Sequence, residues 1–386
     1  MAERPGNMPI VVGLSGNVID SALQSGGFDG IGVYTAALEG ALRAAGVGTR
    51  RVGSASLVGL RLRMPADADV RLRVPLVPAI AWSALTGMAA PFSRALEGAI
   101  DVYHCTDYRT PRLSRTPVVT TLYDAIPFAH PEWGNPRLRG VKNWLLRTAA
   151  ANAARVIAIS AAAVDELVEH YRVERARVRV VHLGVAAHWF DTPSERAQEQ
   201  AGRLDLAPGY FLFVGTLQPR KNVAALLEAY DRLPAAVQRA HQLVIVGRYG
   251  WGVPEVRDAL RARRAGKRVV WLDYVDREVL HAVYRNAGAF VFPSLAEGFG
   301  LPVLEALASG LPVVASDLPV VREVAGDHAL LCRATDVDAL GNAMNEALGV
   351  ARSAAADARR QAWARRFDWL TCAARTIEVY REVLGR

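Results

Sequence analysis

The sequence has little cysteine, little lysine and no long unbroken apolar run. Its three cysteines, Cys105, Cys332 and Cys372, are far apart and form no CxxC pair. Neither a zinc site nor a disulfide framework is therefore suggested, and a reducing cytosol fits. The one sizeable uncharged stretch, "VPLVPAIAWSALTGMAAPF" from Val74 to Phe92, is interrupted by Pro75, Pro78, Gly87 and Pro91, which makes it a poor spanning helix. Core packing, or contact with a lipid surface or an apolar acceptor, suits it better. The start "MAERPGNMPIVVGL" reads as a tail before a first strand, not as a signal peptide. No GxGxxG fingerprint occurs, and no DxD-type metal motif follows a strand.

What the chain has in quantity is apolar residues and arginine. At 386 residues, 51% hydrophobic and 22% charged, it exceeds one ordinary globular core, so two soluble domains are expected. The net charge of +8 points to an anionic partner: a nucleotide, a phospholipid surface, a lipid-linked phosphate or nucleic acid. Two arginine groups stand out, Arg50, Arg51, Arg61, Arg63, Arg71 and Arg73 near the start and Arg352, Arg359, Arg360, Arg365 and Arg366 near the end. A solvated arginine-rich surface accounts for them as well as an anionic patch does.

Apolar runs of strand length alternate with helical patterns, which predicts parallel sheets built from βαβ units. In the first half, strands are expected near "PIVVGLS", "DVYHC", "PVVTTL" and "RVIAIS", with helices over 31–45, 136–154 and 161–171. Residues 191–207, "DTPSERAQEQAGRLDLA", are poor in apolar groups and read as a linker. A second series then follows: "YFLFVGT", "QLVIVGR", "RVVWLDY", "GAFVFPS", "LPVVASD" and "HALLC". The intervening "NVAALLEAYDRL" places Val223, Leu226, Leu227 and Tyr230 on one helical face. The expected fold is thus α/β, with two Rossmann-like domains in succession: 1–190, then 208–368, with a last helix over 369–386 packing back on the first domain. In such sheets ligands sit beyond the carboxyl ends of the strands, and with two domains the natural place is the cleft between them.

Three loops carry chemistry. "SGGFDGIGVY" leads into a helix through Gly30 and Gly32, where backbone amides can approach a ligand, although a structural turn explains it equally. "VGTLQPRKN" sets Gly215, Arg220 and Lys221 between a strand and a helix, with Asn222 expected as its cap, a constellation that suits a diphosphate. "SLAEGFGLPVLEALASGLP" places Glu297 on a glycine turn and Glu305 on the first turn of a helix that Pro302 is expected to open and Gly310 to close.

These blocks resemble the retaining glycosyltransferases of family 4, which have the GT-B architecture of two facing Rossmann-like domains. "EGFGLPVLE" is similar to their E-x7-E element. "GGFDGIGVY", "TLYDAIPFAHPEW", "RVIAISAAAVDEL", "VGTLQPRKN", "LVIVGRYGW" and "DREVLHAVYRNAGAFVFPSLAEGFGLPVLEALASGLPVVASD" resemble the family's other blocks in the family's order, over nearly the whole chain. By that resemblance Glu305 would hydrogen-bond the donor ribose hydroxyls and Glu297 would face the donor sugar. The amides of Gly298, Phe299, Gly300 and Leu301 would wrap the sugar and the β-phosphate. Arg220 and Lys221 would neutralise the diphosphate, and Arg248, Tyr274 and Val275 would border the base. The resemblance implies retention of configuration by same-face substitution, with no metal and no cofactor, and the leaving phosphate helping to deprotonate the acceptor; a covalent intermediate on Glu297 is the less favoured route. Relatives commonly carry histidine where this chain has Tyr123, immediately before Asp124; tyrosine can hydrogen-bond there but cannot carry the charge. His104, His130 and His182 are candidate substitutes.

The donor is expected to be a nucleotide sugar, GDP-mannose by similarity to bacterial mannosyltransferases of surface-polysaccharide assembly, with UDP- and dTDP-sugars open. The acceptor is a saccharide or a lipid-linked one. A cytoplasmic place follows, with peripheral contact on an anionic membrane surface left open because the region between Arg50 and Arg94 is basic and apolar. Other readings are an epimerase of the same fold, or a polyanion-binding protein argued from charge alone; nucleic acid is not expected, since no recognition helix or interleaved aromatics are present.

Overall fold

The computed structural model describes residues 9–19, 30–58, 61–65, 67–134, 139–263, 266–349 and 353–386. The chain forms two compact units, one running to Gly184 and completed by Phe367–Arg386, the other comprising Val185–Arg366.

In the first unit a seven-stranded parallel sheet runs in the order β5-β2-β1-β6-β7-β8-β9. Its strands are β1 (Val11–Ser15), β2 (Gly48–Ser54), β5 (Val70–Leu72), β6 (Val102–Cys105), β7 (Val118–Leu122), β8 (Arg155–Ala158) and β9 (Val178–Val180). A small antiparallel hairpin of β3 (Ser56–Val58) and β4 (Arg61–Arg63) stands between β2 and β5. The second unit holds a six-stranded parallel sheet in the order β12-β11-β10-β13-β14-β15. These strands are β10 (Phe211–Val214), β11 (Leu243–Val246), β12 (Val269–Leu272), β13 (Ala289–Phe292), β14 (Val313–Ser316) and β15 (Ala329–Cys332). The central strands β11, β13 and β14 are buried at every residue, because helices cover both faces and leave no polar side for alternation.

Apart from the hairpin, each sheet grows outward from its first strand to its third, then restarts beside the first with its fourth. That is the Rossmann order, and the reversal leaves a crevice outside the carboxyl ends of strands one and four. The crevice lies beyond β10 and β13 in the second unit and beyond β1 and β6 in the first.

All six strands of the second sheet fall where the apolar runs predict. In the first sheet β2, β5 and β9 escape that reading, since "GTRRVGS", "VRL" and "VRV" carry arginines that masked their extended pattern. The arginine groups are correspondingly less of a surface patch than the sequence suggests. Arg51 is bound to the buried carboxylate of Glu39 at 2.9 Å. Arg360 is buried, donating its Nε to the Gly310 carbonyl at 2.9 Å and pairing with Asp357 at 2.7 Å. Arg365 lies over the Phe190 ring and Arg366 over Trp363, while Arg352 lies outside the described residues.

The polar stretch 191–207 contains a helix, Glu195–Gly202, capped by Ser194, whose Oγ accepts from Ala197 N at 3.2 Å. Ala197 and Ala201 are buried on its inner face against the helix Arg277–Asn286, so small residues did the packing that larger apolar ones would have announced. The last helix, Trp369–Leu384, belongs to the first unit and packs on Gly30–Ala44. Tyr380 Oη meets His104 Nδ1 at 2.7 Å in the interior, and the other ring nitrogen meets Thr121 Oγ1 at 2.8 Å. Gly184 sits where a methyl group would lie 2.4 Å from the Trp369 backbone nitrogen, so the chain passes there only as glycine. The stretch Val74–Phe92 forms the helix Leu76–Thr86, ended by Gly87 with a left-handed φ of 71°. No helix among the described residues is long and apolar enough to cross a membrane.

Candidate active site

In the second unit the crevice is built from the loops after β10 and β13. Gly215 and Gly247, at the ends of neighbouring strands β10 and β11, approach so closely that a Cβ on Gly247 would fall 2.0 Å from the Gly215 carbonyl oxygen. The first loop then turns through Pro219–Lys221 and is joined to the second by Leu295 N donating to Arg220 O at 2.7 Å. This backbone link sets Glu297 against both cations. Lys221 Nζ lies 2.5 Å from Glu297 Oε1 and Arg220 Nη1 2.7 Å from Oε2.

Lys221 is 6% exposed, with its ammonium 4.8 Å from the centre of the Phe292 ring. Glu297 is also buried. Burial by itself would raise the Glu297 carboxyl above its ordinary value, but Lys221 and Arg220 outweigh it and hold the group low and ionised. Two cations and one carboxylate leave a residual charge of 2 − 1 = +1 in the crevice, suited to a further anionic ligand.

The helix after this loop is Leu301–Ala308. It begins at Gly300, whose φ of 105° is open to glycine, so Pro302 is its second residue and not its first. Glu305 is consequently the fifth residue and lies beyond the first turn, where a helix dipole has little left to offer a carboxylate. Burial instead pushes its carboxyl up to about 7, against the opposing pull of Tyr284 and Arg277. Tyr284 Oη donates to Glu305 Oε2 at 3.2 Å, its ring held between Trp189 and Phe290. Gly310 closes the helix as expected, with Leu311 N reaching back to Ala306 O and Gly310 N to Leu307 O, both at 2.9 Å. Asn222 does not cap its helix: it adopts left-handed backbone, and its Nδ2 donates to Ala334 O at 2.8 Å.

Arg248 follows β11 and stacks over Tyr274, which with Val275 follows β12. Because the strands are parallel, these residues share the sheet edge that carries Gly215, Arg220, Lys221 and Glu297.

The first unit's edge is built of hydroxyls. Tyr123 is buried, and its Oη donates to the Thr106 carbonyl at 2.7 Å, with Tyr34 and Tyr108 packed around its ring. Asp124 Oδ1 accepts from Ile126 N at 3.1 Å, starting the short helix Ile126–Ala129. Gly30 is the exposed first residue of its helix and Gly32 is buried two residues on; residues 25–29 of that glycine loop lie outside the described residues. His104 is a core residue whose burial pushes its pKa down to about 3. His130 stacks on Trp133 and pairs with Glu132, and His182 packs on Phe367.

Residues 194–362 match the family described as Glycosyl transferases group 1, and residues 28–189 match Glycosyltransferase Family 4. The O-antigen chain mannosyltransferase B of Escherichia coli is 31% identical over 284 residues, covering 72% of this chain and 74% of the relative. The chain belongs to the family 4 glycosyltransferases. The serotype-specific mannosyltransferase WbdA of Escherichia coli is likewise 31% identical over 224 residues, 54% of this chain, which spans about a quarter of that longer relative (27%). Among solved structures, the sucrose-phosphate synthase of Thermosynechococcus elongatus superposes with a TM-score of 0.71 at 20% identity, over 98% of this chain and 100% of its own. The fold is therefore GT-B, two parallel-sheet Rossmann-like domains.

One residue of this glycosyltransferase that the sequence reading passed over is Asp107. It stands just beyond β6 at the crevice of the first unit, where its Oδ1 accepts from Ser15 Oγ at 3.3 Å and from Arg109 N at 3.3 Å. Its Oδ2 is buried and has no hydrogen-bond partner among the described residues. The available signal was positional: a carboxylate two residues after the apolar run "VYHC". Tyr284 and Trp189 were missed for another reason, since an aromatic residue at helical spacing reads as core.

Proposed function

We propose that this glycosyltransferase transfers a hexose from a nucleotide sugar to a hydroxyl of a saccharide or lipid-linked acceptor, with retention and without a metal. The sugar is mannose and the donor GDP-mannose, in cytoplasmic assembly of a surface polysaccharide or glycoconjugate. The observation that carries the reading is the clamp of Arg220, Lys221 and Glu297 at the crevice beyond β10 and β13. The sugar assignment is supported by the mannosyltransferase relatives.

As the bond between the anomeric carbon and the phosphate oxygen breaks, the diphosphate gains negative charge and the sugar becomes oxocarbenium-like. Arg220 and Lys221, with the uncapped amino end of Leu301–Ala308, stabilise the charge on the phosphate. The amides of Gly298, Phe299, Gly300 and Leu301 wrap the sugar and β-phosphate, and Glu297 faces the sugar hydroxyls. The acceptor oxygen attacks the same face, and its proton passes to the departing phosphate oxygen. Glu305 takes the two ribose hydroxyls as their acceptor, and Arg248, Tyr274 and Val275 border the base. In the first unit Asp107 and Asp124 border the acceptor, while Tyr123, turned inward onto Thr106, shapes that wall without touching the reacting atoms.

The test is a thermal-shift panel of GDP, UDP, dTDP and ADP with their sugars, followed by mass spectrometry of the products. A ligand bound to the folded state raises the midpoint. GDP and GDP-mannose should do so most. A midpoint indifferent to every nucleotide removes the transferase reading, and a shift by UDP or dTDP alone replaces the donor.

A further inference from the structure

Five of the exposed large apolar side chains fall on two packed helices of the first unit, and a sixth lies just beyond one of them. Leu76–Thr86 contains no charged residue and buries Leu76, Ala79, Ile80 and Ser83. Its other face is also apolar: Val77 is 46% exposed, Trp82 45% and Leu85 80%, with Met88 just beyond its end. The helix Arg139–Asn152, packed against it, adds exposed Val141 and Trp144. A helix that is apolar all round is ordinarily covered, and an exposed apolar area rimmed by charge marks a contact surface.

Along these two segments the charge has one sign, although Arg155 is taken up by Glu382. From Val70 to Leu96 the charged residues are Arg71, Arg73 and Arg94, and from Arg139 to Arg155 they are Arg139, Lys142, Arg147 and Arg155, with no acidic residue in either stretch. Arg73, Arg94 and Lys142 are exposed. We propose that this face seats the glycosyltransferase on an anionic lipid bilayer, with Trp82, Leu85 and Trp144 entering at headgroup depth and the basic rim meeting lipid phosphates. At 11 residues the helix is far short of the ~20 needed to span, and interfacial tryptophans with basic neighbours are the pattern of a helix lying on the surface. A second copy of the chain is a poorer occupant. A two-fold contact would set the basic rim against itself, whereas acidic headgroups complement it. The helix leaves the carboxyl end of β5, the sheet edge that also carries Asp107 and Tyr123. The inference goes beyond the proposed reaction, but it would bring the acceptor side to a lipid-linked substrate.

The test is flotation of the full chain with phosphatidylcholine vesicles, with and without phosphatidylglycerol, across a salt series. The wild type should float with the anionic vesicles and be released as salt rises. Trp82→Glu with Leu85→Glu should lower binding by at least about tenfold while the nucleotide-induced melting shift stays unchanged. Lys142→Glu should weaken the preference for anionic vesicles. A wild-type chain that stays with the soluble fraction, or a double variant that floats like wild type, overturns the proposal. So does a concentration-dependent dimer in light scattering that Leu85→Glu dissolves. The nucleotide melting shift reports separately on the transferase reading, so the two can fail independently.

Discussion

The two units share one strand order but handle charge in opposite ways. At the crevice of the second, two cations and a carboxylate are already locked together by backbone pairing between two loops. In the first, Tyr123 links to Thr106 at the sheet edge, and the interior beneath is tied by neutral groups as well: Tyr34 to Thr121, and His104 to Thr121 and Tyr380. Asp107 and Asp124 are carboxylates at that edge, bonded to Ser15 and to the Ile126 amide. The difference teaches that a common fold supplies the location of a site, while the loops supply its chemistry. Under the proposed function, the charged crevice takes the diphosphate donor and the more neutral one the hydroxyl acceptor.

The largest effect should come from breaking the charged side. Glu297→Ala leaves Lys221 and Arg220 without their buried counter-charge and removes the carboxylate proposed to face the sugar. Turnover should fall about 10²- to 10³-fold, with a stability loss of about 3–5 kcal/mol, read by product formation and by chemical denaturation. Nucleotide affinity should change far less than turnover.

Glu305 gives the next. Glu305→Ala should weaken nucleotide binding about 10- to 100-fold, as expected for a lost hydrogen-bonding carboxylate, and erase the preference for a ribonucleotide over its 2′,3′-dideoxy counterpart. Equal affinity in that variant would remove the ribose role. The acid also carries a stability signature. Its folded pKa of about 7 lies above the ordinary 4.5, so the folded state binds the proton more tightly. The penalty of ionising Glu305 is absent below about pH 4.5, grows as pH rises through 7 and is complete above it, reaching about 3 kcal/mol at most. Glu305→Gln should therefore raise the melting temperature relative to wild type at pH 8 more than at pH 5. An equal difference at both pH values would place the ionised carboxylate in a more solvated setting.

On the neutral side, Asp107→Asn keeps the shape and removes the charge. Acceptor KM should rise and turnover fall, by about tenfold together, while the nucleotide melting shift is unchanged. A loss of nucleotide response would show that the two crevices do not divide their work as drawn. Tyr123→Phe should do least: loss of one buried hydrogen bond costs about 1 kcal/mol of stability, and turnover should stay within a few-fold of wild type. A collapse of turnover there would return Tyr123 to the reacting centre.

How much of this was legible in advance differs between the units for a physical reason. In the second unit every strand is a compact apolar run, four of the six with glycine or proline close at an end, and the two chemistry-bearing loops follow directly from strands, so both fold and candidate residues could be read. In the first unit β2 and β9 sit in the sheet while carrying arginines, and Asp107 looks like any loop acid. The C-terminal helix belongs to the first unit through Tyr380 and His104, which lie 276 positions apart. Nothing local announces such a contact.

The sequence by itself determined the α/β class, the six runs of the second sheet, the glycine turn after Glu297 and the basic pair Arg220 and Lys221. Each depends on periodicity or on residue types within a few positions, and short-range stereochemistry enforces them whatever the rest of the chain does. Only the tertiary structure decided which charges are paired. Lys221 and Glu297 are 76 residues apart, Glu305 holds its proton to about pH 7 because of what is packed around it, Arg51 braces the buried Glu39, and Arg360 proved to be an internal brace. Ionisation and pairing are set by burial and by distances of a few ångströms, and those exist only once remote segments have been brought together.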